Sequence, residues 1–182
     1  MTEEMTVLGE HYLGDVRSRF ASLKGLADTA LAQTEADFFT VTGPEDNSLA
    51  VIVKHLSGNM ISRWGNLAGD GESEARDRDA EFVVQESRAE LLAGWERGWQ
   101  ALFTALDAQT ADALLTTVTI RGEPHTLLAA INRQLSHYAY HVGQIVFLAK
   151  HFRGEAWETL SIPRGGSAAF NRKMLEVHDA KK

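Results

Sequence analysis

Apolar residues recur at steps of three and four in four stretches of the chain. The first carries Tyr12, Val16, Phe20, Leu23, Ala27 and Leu31, and the second Leu49, Ile52, Val53, Leu56, Met60, Trp64 and Leu67. The third carries Leu91, Leu92, Trp95, Trp99, Leu102, Phe103 and Leu106. The fourth runs through Leu127, Leu128, Ile131, Leu135, Tyr138, Val142, Ile145, Ala149 and Phe152. Such spacing puts each set on one face of a helix, so the pattern predicts an all-α protein whose helices bury these faces together.

The ends of the four stretches agree. Asn47 or Ser48 can cap the second helix, and Ser87 with Glu90 reads as a capping box for the third. Pro124 suits the first turn of the fourth, where a missing N–H is no loss. The link Gly69–Glu81 is polar and acidic, long enough to carry the chain along the bundle. Between the third and fourth helices, Thr117–Ile120 alternates Thr with Val118 and Ile120. That predicts a short extended segment, with Phe39–Thr42 as its candidate partner. Trp157–Lys182 forms a C-terminal tail with a short helical end. With no internal repeat or low-complexity tract, residues 1–182 read as a single domain.

Composition narrows the chemistry. A formal net charge of −7 opposes nucleic acid and anionic membranes. In Arg76–Asp79 the two arginines alternate with Asp77 and Asp79, so no basic patch arises there. The chain holds no cysteine, which excludes disulfides, thiolate metal sites and a cysteine nucleophile. The first ten residues carry Glu3, Glu4 and Glu10 and no Lys or Arg, unlike a secretory signal. No apolar run approaches membrane-spanning length. The expectation is a cytoplasmic protein.

The histidines then become the candidate chemistry. His137 and His141 stand at i, i+4 on the fourth helix, so their rings project from one side, a turn apart. Both lie just beside the apolar stripe, as His55 does on the second helix. The three could meet where the core opens to water and hold one divalent ion, with positions left for water or substrate. The plainer alternative is a set of core-edge histidines bonded to carbonyls or carboxylates. The residues between the pair are Tyr138, Ala139 and Tyr140, so the Glu of a zinc-protease HExxH motif is absent. Asn59, four after His55, is a candidate partner for a ligand ring. Gln144, three after His141, could orient a ligand or touch substrate. Arg63 could bind an acidic group of a substrate or thiol cofactor, or pair with the Asp70–Glu81 link, which charge patterning favours.

One histidine on the second helix and HxxxH on the fourth resemble the DinB-like superfamily. Val53–Asn59 (VKHLSGN), Ser62–Trp64 (SRW), Asp70–Glu72 (DGE), Arg76–Phe82 (RDRDAEF), His137–Ile145 (HYAYHVGQI) and Leu160–Ser167 (LSIPRGGS) resemble an uncharacterised bacterial branch of it. The resemblance implies a four-helix bundle with up-down-down-up connectivity, assembled as a homodimer. It implies a metal triad on His55, His137 and His141, with nickel or zinc as the ion. Some relatives are S-transferases that use a low-molecular-weight thiol; others are isomerases.

Two functions therefore compete. One is a divalent-metal-dependent enzyme acting on a small molecule, a thiol-dependent S-transferase or a metal-assisted hydrolase. The hydrolase lacks a clearly placed carboxylate as general base. The other is a non-enzymatic dimeric scaffold or small-molecule-binding protein with a structural or vestigial metal.

Overall fold

The computed structural model describes residues 2–65, 67, 77 and 79–179. Over these residues the protein is all-α apart from one small hairpin. The elements are α1 (Glu3–Ala32), α2 (Leu49–Trp64), α3 (Arg88–Asp107), β1 (Thr117–Ile120), β2 (Glu123–Thr126), α4 (Leu127–Arg153) and α5 (Ser167–Asp179), joined in part by 3₁₀ turns.

Each long helix starts where a side-chain oxygen can take an orphan backbone N–H. Thr2 accepts from Met5, Ser48 from Val51 and Thr126 from Ala129. Ser87 and Glu90 form the expected reciprocal box at the start of α3. α4 stops at Gly154, whose φ of 53° takes the chain out of the helical region.

α2 packs chiefly on α3 and α1 chiefly on α4, while α1–α3 and α2–α4 contacts close the arrangement around one core. Its centre is aromatic. Phe20 lies 6.0 Å from Trp64, 6.5 Å from Trp99 and 5.8 Å from Tyr138, ring centre to ring centre. All four rings are buried, together with Leu56, Met60, Leu102, Ile131 and Ile145. These residues come from the four stripes read in the sequence, so the hydrophobic periodicity is also the packing pattern.

Two local expectations are corrected. Thr117–Ile120 is extended, but its partner is Glu123–Thr126 and not Phe39–Thr42. A two-residue loop makes the adjacent segment the nearest strand, while Phe39–Thr42 stays in the turn-rich link after α1. Pro124 is not in the first turn of α4; it faces Thr119 across the hairpin. A two-stranded ribbon tolerates a residue without an N–H because both strands are edges. Thr126 then supplies the cap, and His125 falls in β2, outside the helix. Most of the Gly69–Glu81 link, including Asp70–Glu72, lies outside the described residues.

Candidate metal centre

α2 and α4 bring His55, His137 and His141 together. One nitrogen from each ring lies within 4.8 Å of the others, and all three residues are half-buried. The closest approaches are between ε nitrogens: His141 to His137 at 3.1 Å and His55 to His137 at 3.4 Å. Two imidazoles bound to one ion at about 2.0–2.1 Å, at tetrahedral to octahedral angles, place their nitrogens roughly 2.9–3.4 Å apart. These two spacings therefore match those of ligands on one divalent cation, and the three residues together could hold one.

The outer nitrogens sharpen this. Nδ1 of His55 is 3.0 Å from Oε2 of Glu81, and Nδ1 of His141 is 2.7 Å from Oε1 of Gln144. Both partners are acceptors, so each Nδ1 carries the proton and each Nε2 turns a lone pair inward. Lone pairs aimed at a common point repel unless a proton or a cation lies between them. Burial also pushes the His141 pKa below the usual histidine value, against the opposing bond to Gln144 and with the nearby His55 adding to the depression. Its neutral, ligating form is thereby favoured.

Glu81 escaped the sequence reading. It belongs to a 3₁₀ turn, Ala80–Phe82, between α2 and α3, and is 6% exposed. Gly58 makes room for it: a Cβ there would stand 2.5 Å from Glu81 Oε1. The adjacent Phe82 stacks over His55, with ring centres 6.0 Å apart. Proximity of an acidic residue to a Phe in the link was the available signal, but nothing in the local spacing tied it to a histidine 26 residues earlier.

A cavity of about 320 Å³ opens beside the rings. His55, His137, Glu81 and Phe82 line one part of it, and Asn59, Arg63, Arg121 and Arg133 the rest. Asn59, the candidate partner for a ligand ring, lines this cavity. Its Oδ1 accepts from the Tyr138 hydroxyl at 2.9 Å, and that hydroxyl accepts from Trp64 Nε1 at 3.0 Å. Gln134, fully buried, extends the network. With its amide oriented by its neighbours, the NH₂ donates to Asn59 at 3.2 Å, and the oxygen accepts from Arg63 Nε at 3.2 Å and Arg133 Nη1 at 3.3 Å. Arg63 thus lies in the wall of the cavity; the acidic partner expected in Asp70–Glu81 falls largely outside the described residues. Gln144 faces the other way, into a cleft of about 470 Å³ that it shares with Glu45 and Asp46. The two openings differ in charge: three arginines and Glu81 line the first, and Glu45 and Asp46, with no basic residue among the described residues, line the second.

His125 lies in β2 and His151 in the last turn of α4, so neither joins the cluster. No described helix is long and apolar enough to cross a membrane.

Fold and cluster together define an all-α protein with a three-histidine group at the edge of its core. The chain matches the family described as a protein of unknown function (DUF1572) over residues 7–166, and it belongs to that family. No curated protein matches it.

Proposed function

We propose that the protein binds one divalent metal ion through His55, His137 and His141 and is a metal-dependent enzyme acting on a small molecule. The observation that carries this reading is the convergence of three imidazole nitrogens within 4.8 Å, with acceptors behind two of the rings. Three protein ligands leave positions for water or substrate, the pattern of catalytic sites more than of closed structural ones. The resemblance to the DinB-like superfamily adds nickel or zinc as the ion, a four-helix bundle with up-down-down-up connectivity, and a homodimer.

A bound ion would supply Lewis acidity, lowering the pKa of a water or a substrate thiol at neutral pH. The chain's own part is positional. Glu81 and Gln144 hold two rings in the Nδ1–H tautomer, and Phe82 covers the His55 ring. A thiol-dependent transfer is the sharper version. Since the chain has no cysteine, the thiol must come from a small-molecule cofactor.

The test is metal content. Protein purified without an affinity tag is expected to hold one divalent ion per chain, lost in His137→Ala while the helical circular dichroism persists. A metal-free wild type that takes up neither zinc nor nickel would end this reading and leave a scaffold or small-molecule-binding protein. With metal present, turnover in a screen of low-molecular-weight thiols separates a transferase from a protein whose metal is structural.

A further inference from the structure

Away from the histidines, the 320 Å³ cavity is lined by arginines from three separate elements, Arg63 on α2, Arg121 at the hairpin tip and Arg133 on α4, against one described carboxylate residue, Glu81, which pairs with His55. This convergence occurs in a chain whose formal net charge is −7. Arg63 and Arg133 both donate to the buried Gln134 oxygen, at 3.2 and 3.3 Å. Two guanidiniums on one oxygen concentrate positive potential at that end of the cavity.

Arg121 adds an independent signal. The hairpin loop is Arg121–Gly122, with φ of 53° and 79°. Two successive left-handed residues are the type I′ geometry, which favours Asn-Gly or Gly-Gly. Glycine at the second position meets the demand; arginine at the first does not, because its Cβ crowds the following carbonyl. The strained residue is one that lines the histidine cavity, and strain held at such a place points to a role there.

We propose that Arg121 and Arg133, with Arg63 in the wall behind them, bind a carboxylate of the substrate, so that the ligand is a small organic acid. Its other end would reach the histidine cluster, a part of the inference that rests on the metal-site reading; the carboxylate end does not. Arg133 and His137 are one helical turn apart, about 6 Å along the axis. The cavity volume equals that of roughly ten waters. The axial spacing suits a short chain of about four carbons, for which the cavity has ample room. Arginine's planar fork matches a carboxylate in two parallel hydrogen bonds.

The experiment uses metal-free and zinc-loaded protein, with succinate as probe and its uncharged counterpart succinamide as control. Arginine Nε–H signals are followed by NMR in wild type, Arg121→Asn and Arg133→Met, with zinc uptake measured on the same samples. Succinate is expected to shift these signals saturably in both forms, and succinamide is not. Each substitution is expected to weaken succinate at least five-fold. Arg121→Asn is further expected to melt at the same temperature as wild type or higher, since asparagine adopts the loop geometry more easily. Equal responses to succinate and succinamide, or unchanged succinate affinity in both variants, would overturn the proposal. Zinc uptake keeps the two readings apart. Succinate binding without zinc uptake would retain the carboxylate site and remove the metal; zinc bound at the histidines with no response to succinate would do the reverse.

Discussion

The buried carboxylate of Glu81 stands 3.0 Å from Nδ1 of His55, behind the ring that turns its other nitrogen toward His137. A carboxylate in that position fixes the tautomer and orientation of a ligating imidazole and raises its basicity. Glu81→Ala is therefore expected to weaken zinc affinity about 10–100-fold, read by competition with a chromophoric chelator. Glu81→Gln, which keeps an acceptor oxygen but not the charge, is expected to fall between. Equal affinity in all three proteins would mean that Glu81 packs the link and does not support the ring.

Gly58 offers a test of the same pairing without touching either partner. Alanine in the middle of α2 removes a glycine that costs a helix about 0.5–1 kcal/mol. Its Cβ, however, would stand 2.5 Å from Glu81 Oε1, so the carboxylate must move. Gly58→Ala is expected to melt no lower than wild type while binding zinc more weakly. Unchanged zinc affinity would show that the pairing with His55 survives the displacement.

Tyr138 joins core and site, since its hydroxyl accepts from Trp64 and donates to Asn59. Tyr138→Phe keeps the ring but leaves the buried indole N–H without this acceptor and Asn59 Oδ1 without this donor. The expected loss is about 1–3 kcal/mol, measured as a lower urea midpoint with an unchanged slope. A loss below about 0.5 kcal/mol would imply that water or a rotated side chain replaces the hydroxyl.

Acid should weaken the metal-free fold through His141. Burial lowers its folded-state pKa below the ordinary 6.5, so the unfolded chain takes up the proton first. The stabilising contribution is whole above about pH 6.5 and is lost as pH falls through the depressed folded value. Urea midpoints between pH 8 and pH 5 are expected to drop more steeply for wild type than for His141→Gln. Parallel curves would assign the acid sensitivity to other groups.

The helices were legible because burial imposes a period. Stripes such as Phe20–Leu23–Ala27 and Ile131–Leu135–Tyr138 leave few alternatives, and Ser87 with Glu90 marked an end by hydrogen-bonding chemistry alone. The histidine cluster was legible for a related reason: His137 and His141 share a helix face, and His55 flanks a stripe that packs in the same core. What stayed hidden depends on contacts across the chain. Glu81 sits in a link where charge ordinarily implies solvent, and only the fold shows that Gly58 leaves it a place. Arg121 has meaning only once Thr117–Ile120 is paired with Glu123–Thr126, the strand in which Pro124 had suggested a helix. Asn59 lines the cavity, and its oxygen accepts from Tyr138, a partner no one-dimensional spacing announces.

The hairpin has a consequence for how such a site could diversify. The imidazoles are carried by long, deeply packed helices, whereas one cationic lip of the opening is carried by a two-residue loop that contributes little to the interior. If Arg121 holds the proposed carboxylate, its exchange would alter which molecules are admitted while the three histidine rings stay in register. On the two proposals made above, chemistry and selectivity would be written on separable pieces of the chain, and the selectivity piece would be the one that can be rewritten without dismantling the protein.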